Sequence, residues 1–396
     1  MHGESRVMRI LHLITGLELG GAEMMLYKLL ATLDRTDFDP LVVTLIEPGP
    51  MREPIQALGV PVVTLGMRRG LPAPRAMGRL VAVARDFRPD LIQSWMYHAD
   101  LVAVLTRPLM WPRAGRLPRL VWNIRQSNLD PRSTQRTTRL VARLNALLSH
   151  LGPDHILCCS EQALRLHQRL GYRRRRTSVI PNGFDLERFR PDPAAGLALR
   201  DSVMVAPDRA LIGMVARFDP QKDPRTFLQA AARVRAARPD CRFLLCGPGM
   251  DSDNAPLVRW IDQYGLGDAL ILLGARQDTP RIYAALDLLV SSSAYGEGFP
   301  NVIGEAMACA VPCVVTDVGD SARIVADTGI TVPPRQPEDL AAAQIRLLDA
   351  GGAERVRRGQ AARARIAACY DLDGIARRYA DLYLSLTSGP PRPRAH

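Results

Sequence analysis

Short apolar runs separated by longer stretches of mixed polarity recur along this chain from one end to the other. In the first half the runs are RILHLI (9–14), PLVVTLI (40–46), PVVTL (61–65), DLIQSW (90–95), LVWNI (120–124), HILCCS (155–160) and TSVIP (177–181). Amphipathic, helix-like stretches lie between them at about 22–33, 74–86, 99–109, 132–150 and 161–170. The pattern restarts with ALIGMVA (210–216), CRFLLCG (241–247), ALILLG (269–274), DLLVSS (287–292), PCVVTD (312–317) and GITVP (329–333), and helices are predicted near 224–237, 254–264, 279–286, 301–310 and 337–349. Apolar strands alternating with helices are the mark of βα units on parallel sheets. Between the halves, PNGFDLERFRPDPAAG (181–196) reads as a linker, and TSGPPRPRAH (387–396) as a disordered tail. The expectation is α/β: two tandem Rossmann-like, doubly wound domains, 1–185 and 186–368, facing a cleft, since ligands of such sheets bind beyond the strand carboxyl ends.

Composition narrows the classes. With 396 residues, 47% of them apolar, each half can bury a core, and no run is long enough for a membrane-spanning helix. The N-terminus enters a strand at once and shows no export signal, so a cytoplasmic setting is expected. Seven scattered cysteines suit buried thiols in a reducing compartment, and no Cys/His spacing fits structural zinc. The net charge of +12 lies wholly in residues 1–190, which hold 28 Arg and Lys against 16 Asp and Glu; the remainder holds 24 against 24. A basic half suits an anionic substrate or an anionic membrane surface; nucleic acid is disfavoured, because aromatics are 5% and no recognition motif is present. Only Lys28 and Lys222 are lysines.

The sharpest chemistry lies in DLLVSSSAYGEGFPNVIGEAMACAVPCVVTDVGD (287–320). A strand ends in serines, a Gly-rich loop carries Glu297, and a helix expected to have Pro300 at its first position carries Glu305. The helix N-terminus suits a diphosphate, whereas two carboxylates facing it would repel one; they suit sugar and ribose hydroxyls instead. Arg217 and Lys222, after the strand at 210–216, are cations placed to neutralise a leaving diphosphate. Asp251-Ser252-Asp253 spells a competing Asp-x-Asp metal motif, while Gly247 and Gly249 would let backbone approach a nucleotide. Gly20 and Gly21 follow the first strand, but neither a Gly-x-Gly-x-x-Gly fingerprint nor a phosphate loop is present. His98 stands at the end of DLIQSWMY, and Arg125 and Gln126 follow LVWNI. In the stretch 132–150, Arg132, Arg136, Arg139 and Arg143 accompany a stripe of Leu140, Leu144, Leu147 and Leu148. Two readings stay open there: a surface helix with its leucines in the core, which is favoured, and a basic amphipathic helix on an anionic membrane.

The 287–320 block resembles the Glu-x7-Glu signature of glycosyltransferase family 4, retaining enzymes of the GT-B fold. GLELGGAE, HAD, VIPNGFDLERF, GMVARFDPQKDP, LLCGPG and LLGARQD fall in the family's order across nearly the whole chain. The resemblance implies a C-terminal helix, 369–386, packing back on the first domain. It implies that Glu297 contacts the donor sugar and Glu305 the ribose, with the segment Phe299, Pro300, Asn301 and Val302 lining sugar and phosphate. It also places Arg276, with Asp278, in the base-binding loop, His98 near the donor sugar or acceptor, and Arg125 and Gln126 on the acceptor side. Arg217 and Lys222 would stand in for a metal, so no metal and no cofactor are expected. The reaction implied is retaining transfer from a nucleotide-sugar donor, UDP ahead of GDP, to a glycan or lipid-linked acceptor in polysaccharide synthesis, with peripheral contact to an anionic membrane and no nucleic acid partner. A hydrolase using both carboxylates, a nucleotide-sugar epimerase, and a non-catalytic sugar-nucleotide binding module are the alternatives.

Overall fold

A computed structural model describes residues 7–67, 73–110, 117–130 and 134–387. The chain divides into two compact units, residues 1–183 with 372–396, and residues 184–371.

The first unit carries a parallel sheet of β1 (Met8–Ile14), β2 (Phe38–Thr44), β3 (Val62–Thr64), β4 (Leu91–Trp95), β5 (Arg119–Ile124), β6 (His155–Cys158) and β7 (Thr177–Val179), in the order β3-β2-β1-β4-β5-β6-β7. Its helices are α1 (Gly21–Thr32), α2 (Arg52–Ala57), α3 (Pro74–Phe87), α4 (Tyr97–Thr106), α5 (Arg136–Leu148) and α6 (Glu161–Arg169). The second unit repeats the plan. β8 (Leu211–Val215), β9 (Arg242–Cys246), β10 (Leu270–Leu272), β11 (Leu288–Ser291), β12 (Cys313–Thr316) and β13 (Ile330–Val332) run parallel in the order β10-β9-β8-β11-β12-β13. Its helices are α7 (Pro193–Ser202), α8 (Pro224–Ala237), α9 (Ala255–Gln263), α10 (Thr279–Ala285), α11 (Asn301–Ala308), α12 (Ser321–Val325), α13 (Pro337–Asp349) and α14 (Gly351–Tyr370). The last helix, α15 (Leu372–Thr387), belongs to the first unit, where Tyr379 and Tyr383 are fully buried in the core with Ile10, Leu29 and Phe38.

In both sheets the strand order reverses at one place, between β1 and β4 and between β8 and β11. Loops leaving two such neighbouring strands part to opposite faces and open a crevice at the carboxyl ends. The residues singled out by sequence follow these four strands: Gly20 and Gly21 after β1, His98 after β4, Arg217 and Lys222 after β8, and Glu297 after β11.

Three expectations are corrected. The Pro/Gly-rich stretch 181–196 is no free linker: Phe184 and Phe189 are buried, and α7 begins inside it, where Asp192 accepts from the Ala195 amide at 2.9 Å and Pro193 takes the first helical position. Pro300 is the cap before α11, one residue short of the first helical position. The leucine stripe of α5 does not face the core: Val141, Ala142, Asn145 and Ala146 are buried, Leu140, Leu144 and Leu147 are exposed, and Leu148 is half-buried. Arg132 and the tail segment 388–396 lie outside the described residues.

Candidate functional site

In the second unit, β11 runs out into Ser292 and Ser293, both buried. The Ser292 hydroxyl lies 3.0 Å from the carbonyls of both Lys222 and Asp223, and the Ala294 amide donates to the Gln221 carbonyl at 2.8 Å. These bonds lash the loop after β8 to the loop after β11. Across that seam the Lys222 ammonium donates to Glu297 Oε1 at 2.5 Å, and the Ser293 hydroxyl donates to the same oxygen at 2.6 Å. Glu297 is 6% exposed, so its charge is held by partners rather than by bulk water.

The backbone around Glu297 leaves little freedom. Gly296 and Gly319 have φ of 75° and 65°, and a Cβ on Gly319 would lie 2.4 Å from the Glu297 carbonyl oxygen. The Asp320 amide donates to the Gly298 carbonyl at 3.1 Å, closing the loop against α12. Behind it, Phe184 stacks on Phe299, Phe299 packs on Tyr370, and Gly304 of α11 offers the Phe184 ring the space a Cβ would fill. This aromatic stack fixes α11, whose first amides have no intrahelical acceptor and aim a positive dipole end at the loop. One turn on, Glu305 Oε2 accepts from the Tyr283 hydroxyl at 2.8 Å. Tyr283 is wholly buried, and burial, then Glu305, push its phenol well above the usual range, so it acts as a donor that orients the carboxylate.

Flanking loops complete this side. Arg217 is half-exposed and bonds Asp219 at 3.0 Å. Gly247 and Gly249, with φ of 140° and 75°, lie against the loop after β8, where a Cβ on Gly247 would come within 2.1 Å of the Ala216 carbonyl; close backbone packing thus already requires glycine. Arg276 holds Asp278 in a two-pronged contact of 2.8 and 2.6 Å, which keeps the Asp278 carboxyl below its ordinary range. Asp251 and Asp253 sit in the turn before α9, and among the described residues no group of three or more His, Cys, Asp or Glu is arranged to hold a metal ion.

In the first unit, Gly20 precedes α1 in extended conformation and Gly21 has open space around its Cα. A Cβ on Gly20 would meet the Glu23 carboxylate, whose pKa burial raises. His98 is the second residue of α4 and half-buried, and burial lowers its pKa. Just ahead of it, Met96 has φ 73° and ψ 166°, a region that side-chain-bearing residues avoid. That strained turn is held by the Met96 amide on the Asn123 carbonyl at 3.1 Å and the Arg125 amide on the Met96 sulfur at 3.3 Å. Asp100 is fully buried, accepts from the Ser94 hydroxyl at 2.6 Å, and is pushed well above the carboxylate range by burial. The Arg125 guanidinium is spent inside its own unit, on the Tyr379 hydroxyl at 3.1 Å, on Asn182, and over the Trp95 ring. Gln126 donates to the Asn128 carbonyl at 2.6 Å.

Residues 19–188 match the model described as Glycosyltransferase Family 4, and residues 209–350 match the model described as Glycosyl transferases group 1. The chain belongs to the family 4 glycosyltransferases. This family 4 member is 37% identical, over 44% of its length, to D-inositol 3-phosphate glycosyltransferase 2 of Catenulispora acidiphila, of which the alignment covers 43%. It is 34% identical, over 37% of its length, to the UDP-Gal:alpha-D-GlcNAc-diphosphoundecaprenol alpha-1,3-galactosyltransferase of Escherichia coli, of which 38% is covered. The chain thus spans less than half the length of both relatives. Among solved structures, Anabaena HepE in complex with UDP superposes with a TM-score of 0.82 at 25% identity, over 96% of this chain and 100% of that one.

Some side chains in this family 4 chain escape motif reading. Ser293 sits in a run of three serines, none distinguishable by sequence, yet Ser293 donates to Glu297 whereas Ser292 turns to the carbonyls of Lys222 and Asp223. Tyr283 and Glu23 reach their positions through helices whose facing only packing decides.

Proposed function

We propose that this protein transfers a sugar from a nucleotide diphosphate, UDP ahead of GDP, to a hydroxyl of a glycan or lipid-linked oligosaccharide, with retention and without a metal, in the synthesis of a cell-surface polysaccharide. The observation that carries the reading is the buried meeting of Lys222, Ser293 and Glu297 at the switch point of the second sheet. The name of the Escherichia coli relative and the UDP held by the Anabaena protein support the choice of base and the class of acceptor.

In the reaction proposed, the bond between the anomeric carbon and the phosphate oxygen breaks, and the diphosphate leaves with the electron pair. The acceptor oxygen forms its bond on the same face, and its proton passes to the departing phosphate oxygen. Lys222, Arg217 and the amide end of α11 take up the charge that develops on that leaving group. Glu297 and Glu305 act as acceptors for donor hydroxyls, the first steadied by Ser293 and the second by Tyr283. His98, fixed by the strained turn at Met96, serves the acceptor side as a neutral imidazole.

The test is incubation with UDP- and GDP-sugars and glycan or lipid-linked acceptors, followed by analysis of the product's anomeric configuration. An inverted product would falsify the mechanism. Release of sugar from a glycoside without any nucleotide would identify a hydrolase, turnover without an acceptor an epimerase, and donor binding without turnover a binding module.

A further inference from the structure

The loops that carry Arg217, Lys222 and Glu297 have a second side. Within the second unit, a cavity of about 270 Å³ lies among the loop after β8, the start of α8, the helix α9, and the loops after β11 and β13. Arg217, Lys222, Glu297 and Glu305 do not line it. Its apolar lining is aromatic. The rings of Phe218 and Trp260 lie 5.6 Å apart with a tilt of 33°, Tyr295 joins them, and all three are half-buried.

Twice in this lining a guanidinium lies over a ring: Arg225 over Trp260 and Arg335 over Tyr295, each at 5.8 Å. Of four arginine–ring contacts among the described residues, two meet at this one cavity, so the pairing is gathered here rather than spread over the surface. Both arginines are exposed, and among the described residues neither forms an ion pair. Arg225 is steadied through Nε, which donates to the Tyr264 hydroxyl at 3.1 Å. Arg335 stands at φ 60°, a turn that glycine would make without strain, and what the arginine adds there is its side chain.

The two acids of the cavity are already answered. Asp219 accepts from the Gln221 amide at 2.8 Å and from Arg217 at 3.0 Å, and Asp223 accepts from the Thr226 amide and hydroxyl at 3.1 and 2.7 Å. Each carboxylate keeps acceptor capacity beyond those bonds. An incoming anion therefore meets guanidinium groups, an incoming hydroxyl meets carboxylates, and an apolar C–H face meets aromatic rings. A sugar ring bearing its own carboxylate presents all three. The volume falls below the usual span of sites for drug-sized ligands, which suits one such ring and not a nucleotide sugar.

We propose that this cavity is a subsite for a hexuronate residue of a glycan, with Arg225 and Arg335 on its carboxylate and Asp219 and Asp223 on its hydroxyls. It rests on the glycan-acting reading given above, but binding is measured with no donor and no transfer, so the two fail separately.

The experiment is titration calorimetry of the full chain with a short galacturonic acid oligomer, against a neutral galactose oligomer of equal length. The acidic oligomer binds at least about tenfold more tightly, and the preference shrinks as salt rises. Combined Arg225→Gln and Arg335→Gln removes that preference while the affinity for the neutral oligomer stays the same. Trp260→Ala weakens both oligomers; should it melt early, the two exposed arginines carry the test. Saturating UDP does not displace the acidic oligomer, and inorganic phosphate at equal concentration does not either. Absence of binding, equal affinity for the two oligomers, or wild-type affinity in a folded double-arginine variant overturns the proposal. So does displacement by UDP, which assigns the binding to the donor site, or by phosphate, which marks a site for any small anion.

Discussion

The Lys222 ammonium and the Ser293 hydroxyl converge on one oxygen of Glu297, at 2.5 and 2.6 Å. Two loops that leave neighbouring strands are thereby joined by a buried ion pair, and the lysine in it is the one proposed to take up charge on the leaving diphosphate. Replacing Lys222 with Met should lower kcat by roughly 10²–10³, the range for removal of one transition-state charge stabiliser. Far-UV circular dichroism should be unchanged. A double-mutant cycle with Glu297→Gln should be strongly non-additive, because the two side chains act as a unit. Near-normal turnover of Lys222→Met removes the lysine from the site.

Ser293 separates positioning from contact. Its hydroxyl holds Glu297 while its own carbonyl accepts from Thr316 at 2.7 Å, so the side chain has one rotamer that serves the loop. Ser293→Ala should cost about tenfold in kcat/KM, the size of one hydrogen bond to a charged group. The melting temperature should fall by no more than a few degrees. Initial-rate kinetics and calorimetry on the same preparation decide it, and a large loss of stability with intact kinetics would make the serine merely structural.

Acid should act on one unit before the other. The five histidines among the described residues, at 12, 98, 150, 155 and 167, all belong to the first unit. Burial lowers His12 to about 3 and His155 and His167 to about 4, and lowers His98 as well. In the unfolded chain each takes a proton near pH 6.5, so the stability present above that pH is lost as pH falls from 6.5 toward 4. Asp100 and Glu23, with raised pKa values, work in the opposite sense over part of the window, but four histidines outweigh two carboxyls. Scanning calorimetry should show the transitions drawing apart between pH 7.5 and about pH 5, with the first unit melting earlier. Transitions that move together contradict this.

Tyr383 tests how far the last helix supports the first unit. It is fully buried, meets Phe38 edge-on at 6.2 Å, and donates to Gln93 of β4. Tyr383→Ala should cost about 3–5 kcal/mol, as for other large aromatic truncations, and should appear in the first unit's transition alone. Urea unfolding followed by a probe in each unit measures it. Equal destabilisation of both transitions would show that the units do not unfold independently.

Much of this was legible in the sequence, for a physical reason. The inner strands of both sheets are buried on both faces and so read as continuous apolar runs, such as LLVS at β11 and CVVT at β12. What periodicity could not decide was which side of a helix the fold would use. In α5 the small residues Ala142 and Ala146 are turned inward where α5 packs on α4, and the larger leucines are turned outward. α7 was hidden by its prolines, although Asp192 and Pro193 spell a helix start. α14 escaped because much of it is arginine and alanine, with Gly359 pressed against the Ala310 carbonyl where an apolar residue would have marked the buried face. At the site, Glu297, Glu305 and Lys222 stood out by spacing and rarity, whereas Ser293 and Tyr283 are common residue types whose meaning comes only from what they touch.

The placement of α15 also sets a timetable. The second unit is one unbroken stretch of chain, and everything it needs has left the ribosome once residue 371 emerges. The first unit is begun before the second and finished after it, because Tyr379 and Tyr383 must arrive before Asn123 and Gln93 find their partners, more than 250 residues downstream. Until residues 372–387 are made, the nascent sheet of the first unit has a gap where α15 belongs, and that apolar opening is where a chaperone would find this protein.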